Sequence, residues 1–112
     1  MKRDEKMFLE DILVFCEHIE EYLTRVEKEH FFKNRMLQDA LMRKIELIGE
    51  AVKNISLETC ETYPHIPWKQ IARMRDKVIH HYYRVDLDVV WKTSKNLVPQ
   101  LKSEIQEILK LP

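Results

Sequence analysis

Phe8-Leu-Glu-Asp-Ile12-Leu-Val-Phe15-Cys-Glu-His-Ile19-Glu-Glu-Tyr22-Leu-Thr-Arg-Val26 is the stretch that decides the fold class. Its numbered apolar residues recur at alternating steps of three and four, the period of one helix face, and Leu9, Leu13, Cys16 and Leu23 widen the stripe. The spacing predicts a long amphipathic helix from Arg3 to about Lys28. Working outward, Glu29 to Lys33 lack clear periodicity and read as a turn, and Asn34 is placed to cap the amides of the next helix. From Arg35 to Ile55 the helical period returns at Leu37, Leu41, Ile45, Ile48, Val52 and Ile55. Residues 56 to 66 have no sustained period and contain Pro64, so they read as the one substantial loop. Pro67-Trp68 suits a helix start, because proline has no N–H to lose there and its φ is preset. Ile71, Met74, Val78 and Ile79 carry that third helix onward. Asp86 is placed to cap a fourth, with a stripe through Leu87, Val90, Trp91, Leu97, Val98, Leu101, Ile105 and Ile108. Pro99 interrupts it, which predicts a kink near Lys95 to Pro99 or two abutting helices.

Composition agrees with helices. The 112 residues are 45% hydrophobic and 34% charged, with a single glycine and four prolines. So few residues tolerant of positive φ argue against hairpin-rich β architectures. The length suits one domain spanning residues 1–112, an all-α antiparallel bundle of four to five helices with a kinked last helix. Stripes this wide exceed what one small bundle hides, which points to a homodimer; the alternative is a monomer with ordinary exposed apolar residues. No apolar run approaches a membrane span and no leader pattern is seen at the N-terminus, so the expected location is the cytoplasm. Cys16 and Cys60 form neither a metal-type spacing nor a disulfide framework and read as free thiols.

Nineteen basic side chains cancel nineteen acidic ones, which by itself argues against nucleic-acid work. Counted by segment, the neutrality is an average. Residues 3–29 hold four bases against nine acids, whereas residues 68–84 hold Lys69, Arg73, Arg75, Lys77 and Arg84 against Asp76 alone. His80, His81, Tyr82 and Tyr83 sit among those cations, a phosphate-binding composition. On a helix, Asp76 and His80 share a face, so the carboxylate can orient the imidazole. Arg75 and His80 lie roughly 140° apart and cannot easily grip one phosphate. Either the helix ends near His80, or the two residues meet across a dimer interface. Lys69, Arg73 and Lys77, spaced by four, either track an RNA backbone or form a solvated face.

Arg75-Asp-Lys-Val-Ile-His80-His-Tyr82 spells R-x4-H-x-Y with a polar residue after the arginine. It resembles the signature of the HEPN superfamily and, within it, the HepT-like toxin family. The flanking Ile48-Gly-Glu-Ala, Tyr63-Pro, Ile66-Pro-Trp68, Met74-Arg-Asp and Val85-Asp86 through Val90-Trp91 are similar to the same family's pattern, over roughly residues 35 to 101. The resemblance implies an all-helical homodimer acting as a metal-independent ribonuclease without a cofactor. It also implies the toxin half of a toxin–antitoxin pair, whose partner is a minimal nucleotidyltransferase of the MntA type. Carried over by residue, Arg75 and His80 would be catalytic, Asp76 their polar assistant, and Tyr82 the side chain that the antitoxin AMPylates. The residue types suit that chemistry: an imidazole moves protons near neutral pH and a guanidinium holds a phosphate.

Other readings stay open beside it. The same motif could serve recognition in a catalytically inert partner or substrate-binding subunit of a separate nucleotidyltransferase, and spacing does not choose Tyr82 over Tyr83. Trp68 and Trp91 read as core or interface anchors. His18, His30 and His65 have no helix-face partners at ligand spacing, so no zinc or di-metal site is expected. Arg43, Glu46 and Glu50 either pair along their helix or support the site from across the bundle.

Overall fold

The apolar stripes do form helices, and the core they build is where the candidate site is anchored. The structure is a computed structural model and describes residues 3–80 and 84–110. Among them the chain is all-helical with no strand: α1 (Arg3–Tyr22), α2 (Lys28–Lys33), α3 (Arg35–Val52), α4 (Leu57–Thr62), α5 (Trp68–His80), α6 (Leu87–Lys92), a π-helical segment (Thr93–Leu97) and α7 (Val98–Leu109). Four rods dominate, namely α1, α3, α5 and the continuous path from α6 through α7. α3 is central, packing on α1 and on α5, while α1 also packs on α7. This is compatible with the expected helical bundle. Leu9, Ile12, Cys16 and Ile19 of α1 are fully buried, and Leu41, Ile45, Ile48, Ile71, Val78, Leu101 and Ile105 join them in one core. Burial pushes the Cys16 thiol up to about 12, and both cysteines are free.

Several boundaries are legible in advance. Asn34 caps α3 by accepting from the Leu37 N–H at 3.0 Å, and Asp86 caps α6 by accepting from the Asp88 N–H at 2.9 Å. α5 begins at Trp68, with the Pro67 carbonyl accepting from the Ile71 N–H at 3.1 Å. Trp68 is buried as expected, and its indole N–H donates to the Tyr63 carbonyl at 3.0 Å.

Three expectations are corrected. The first helix stops at Tyr22, not near Lys28, in a turn closed by Arg25 at φ 61°, the one non-glycine residue with positive φ among those described. The turn redirects the chain so that Glu29 to Lys33, read as a turn, lie in α2 and bury Phe31 against Trp91, with ring centroids 5.4 Å apart. The stretch from 56 to 66 is not all loop. Ser56 caps α4 by accepting from the Thr59 N–H, and buried Glu5 of α1 accepts from the Ser56 N–H and, at 2.9 Å, from the Thr59 hydroxyl. A single short turn is thus tied to the start of the chain. Ahead of Pro99 the expectation of two abutting helices holds, since α6 ends at Lys92 and α7 begins at Val98. The π segment from Thr93 to Leu97 widens the turn where proline supplies no N–H, so the path stays helical into α7.

Candidate functional site

The polar segment singled out by composition lies on α5, and how α5 meets α3 decides where each side chain goes. Gly49, the only glycine in the chain, sits inside α3, where glycine costs about 1 kcal/mol relative to alanine. Its position explains the cost. A Cβ on residue 49 would fall well inside van der Waals contact with the Arg75 Cβ and 3.3 Å from the Arg75 Cα. α3 and α5 therefore touch backbone to backbone at this pair, and Arg75 is pressed onto α3.

Its guanidinium is fixed there by two carboxylates. Nη1 donates to Asp76 Oδ1 at 3.1 Å and Nη2 lies 3.6 Å from Glu50 Oε1. The Nε is buried, with no hydrogen-bond partner among the described residues. Of the two readings of Glu50, support from across the bundle is the one observed. Arg43 and Glu46 simply pair along α3 at 3.1 Å.

Asp76 does not orient His80. Its Oδ1 accepts from Lys53 Nζ at 2.7 Å as well as from Arg75, so the carboxylate is drawn toward α3 and away from the imidazole four residues on. The Lys53 hydrogen bond, and after it that from Arg75, hold the Asp76 carboxyl below the usual carboxylate range. A helix-only view counts spacing within α5 and misses an ammonium arriving from the next helix. Spacing along α5 therefore gives no sign of Lys53. The signal available for the contact was Gly49, whose presence inside a helix marks a close approach.

His80 is exposed and has no hydrogen-bond or ion-pair partner among the described residues. Lys69, Arg73 and Lys77 are exposed too, and likewise unpaired within the described residues. On ideal helix geometry these three and His80 fall within an arc of about 80°, a row of cations leading to an imidazole. Lys77 also borders a groove of about 340 Å³, lined by Met74, Arg84, Val85, Asp86 and Val89. α5 is helical through His80, so helix geometry keeps Arg75 about 140° round from it, against α3. Tyr82, with His81 and Tyr83, lies outside the described residues. Among the described residues no helix is long and apolar enough to cross a membrane.

Comparison with known proteins gives this geometry a context. Residues 12–108 match the family described as Ribonuclease HepT-like. The chain is 44% identical over 110 residues to a protein named "Probable ribonuclease HepT" from Thermococcus cleftensis, covering 98% of this chain and 100% of that one. It is 46% identical over 109 residues to a protein of Methanocaldococcus jannaschii named as a putative RNase, covering 97% and 90% of the two chains. A second protein of that organism, named as a γ-glutamylcyclotransferase and putative RNase, is 47% identical over 109 residues; there the match covers 97% of this chain but only 49% of the relative. No solved structure matches. The family match takes in both helices that hold Arg75, together with the whole of the cation row and His80, and on it the chain belongs to the HepT-like ribonuclease family.

Proposed function

We propose that this chain is a metal-independent endoribonuclease that cleaves RNA through the ribose 2′-hydroxyl, in a cleft formed by two copies. The observation that carries this reading is the composition of α5: an exposed cation row ending in His80, which has no partner among the described residues, beside a guanidinium held by Glu50 and Asp76. Lys69, Arg73 and Lys77 engage the RNA phosphates. The 2′-oxygen attacks phosphorus as its proton passes to the His80 imidazole. The bond from phosphorus to the 5′-oxygen breaks, that oxygen takes a proton from water while His80 returns the 2′ proton to the solvent, and a 2′,3′-cyclic phosphate and a 5′-hydroxyl are left. Arg75 offsets the negative charge that builds on the phosphoryl oxygens. The wide offset between Arg75 and His80 within one α5 supports a site completed by the second copy. Val89, which lines the groove, and Ile79 on α5 are both exposed and supply apolar area for the homodimer contact.

In this reading the protein is a cytoplasmic toxin, restrained by an MntA-type nucleotidyltransferase antitoxin. The Tyr82 phenolate attacks the α-phosphorus of ATP, pyrophosphate leaves, and the attached AMP puts a bulky anion where substrate phosphate must lie. Purified protein is expected to cleave RNA undiminished in EDTA and to leave cyclic phosphate ends. Activity abolished by EDTA and restored by a divalent cation would overturn the mechanism. After co-expression with the nucleotidyltransferase, mass spectrometry is expected to find AMP on Tyr82; AMP on Tyr83 alone would refute that assignment.

A further inference from the structure

Asp76 has two possible cationic sides to face. His80 stands four residues on along α5, the spacing at which helix side chains pair. Arg75 and Lys53 stand on the α3 side, and it is there that the carboxylate is found, 2.7 Å from the Lys53 ammonium and 3.1 Å from the Arg75 guanidinium. Lys53 is the C-cap residue of α3, and its own N–H bonds the Gly49 carbonyl at 3.1 Å. The ammonium is therefore mounted on the turn that touches Arg75. It is also at a helix C-terminus, where a cation is favoured. The charged groups around Asp76 are Glu50 and Lys53 on α3, and Arg73, Arg75, Lys77 and His80 on α5. Within the inner four, two carboxylates balance two cations. Removing Lys53 would leave Arg75 between two carboxylates with a net negative charge, an environment that blunts the guanidinium's ability to offset charge developing on the phosphoryl oxygens as the bond is broken.

We propose that Lys53 is a positioning residue: it holds the Asp76 carboxylate on the α3 side of α5, so that Asp76 buttresses Arg75 and leaves His80 free for proton transfer. Its part in the reaction rests on the ribonuclease reading above. Its effect on Asp76 does not. Lys53 acts through Asp76, without touching the scissile phosphate.

The test uses the full chain carrying Lys53→Met, Lys53→Arg, and Lys53→Met combined with Asp76→Asn. In K53M, kcat for a short RNA is expected to fall about tenfold with KM within about twofold, because geometry at the reacting centre suffers and RNA binding does not. K53R is expected to keep most of the activity. In the D76N background K53M is expected to add nothing. A K53M effect confined to KM would make Lys53 an RNA contact, and an undiminished K53M effect in D76N would remove Asp76 from the chain of influence; either overturns the proposal. Independently of any RNA assay, the Asp76 carboxyl carbon signal is expected to titrate at higher pH in K53M and unchanged in K53R. A protein that shows this shift but cleaves no RNA leaves the Lys53–Asp76 link standing and overturns the functional reading alone. An unshifted Asp76 signal overturns the link itself. So does a K53M protein that fails to fold, since an exposed ammonium that only positions a neighbour is not required for folding.

Discussion

Arg75→Ala is expected to slow RNA cleavage about 100- to 1,000-fold, the usual consequence of removing a preorganised group that stabilises developing charge. His80→Ala is expected to cost about 100- to 10,000-fold, the range for a lost general acid or base. Neither change should unfold the protein. His80 is exposed, and although Arg75 is mostly covered, its removal leaves Asp76 still bonded to Lys53. Arg75→Lys is expected to recover little, because an ammonium cannot span Glu50 and Asp76 as the guanidinium fork does. Mixing the two inactive proteins then asks where the site lies. If Arg75 of one copy works with His80 of the other, half of a random mixture is heterodimer and each heterodimer holds one intact site, so about a quarter of wild-type activity should return. A mixture as inactive as its components would place both residues of each site in one chain. Chromatography with light scattering on the same samples checks that dimers are present.

Gly49→Ala is the second change with a large expected effect, and its direction runs against helix propensity. At an ordinary position inside a helix this substitution stabilises by about 1 kcal/mol. Here the new Cβ would meet the Arg75 Cβ and lie 2.6 Å from its Cγ and 3.3 Å from its Cα. These atoms belong to the base of the side chain and to the backbone, and they cannot swing aside. α3 and α5 must separate, which costs about 1 to 3 kcal/mol as overpacking does, and the propensity gain offsets only part of it. The Glu50 and Lys53 contacts reach across the same junction, so cleavage is expected to fall about 100-fold even in the folded fraction. Thermal unfolding and single-turnover cleavage measured on one preparation test both halves. A Gly49→Ala protein more stable than wild type would show that the two helices have room to spare.

Much of this was readable from spacing alone. The periods in Phe8 to Val26, Arg35 to Ile55 and Leu87 to Ile108 predict helices because burial of one face is a local, repeating demand that each residue meets through its neighbours three and four away. Caps are local as well, and Asn34 and Asp86 act at the positions their side chains allow. The short helices were not readable. Six-residue α2 and α4 have too few turns to show a period, and they are held by distant partners, Trp91 against Phe31 and Glu5 on the Ser56 and Thr59 end.

The candidate site divides the same way. By itself the sequence determined the helical class, the cation-rich segment hidden under a neutral total, and the angle that sets Arg75 apart from His80, since all three depend only on composition and on residues near one another in the chain. Only the tertiary structure decided which way Asp76 turns. Helix periodicity offered it His80, and the crossing of α3 over α5 at Gly49 brought Lys53 to within 2.7 Å instead. A charge–charge contact falls off with distance in space, whatever the separation along the chain, so a partner 23 residues earlier displaces one four residues later once the backbone of α3 is close enough to deliver it.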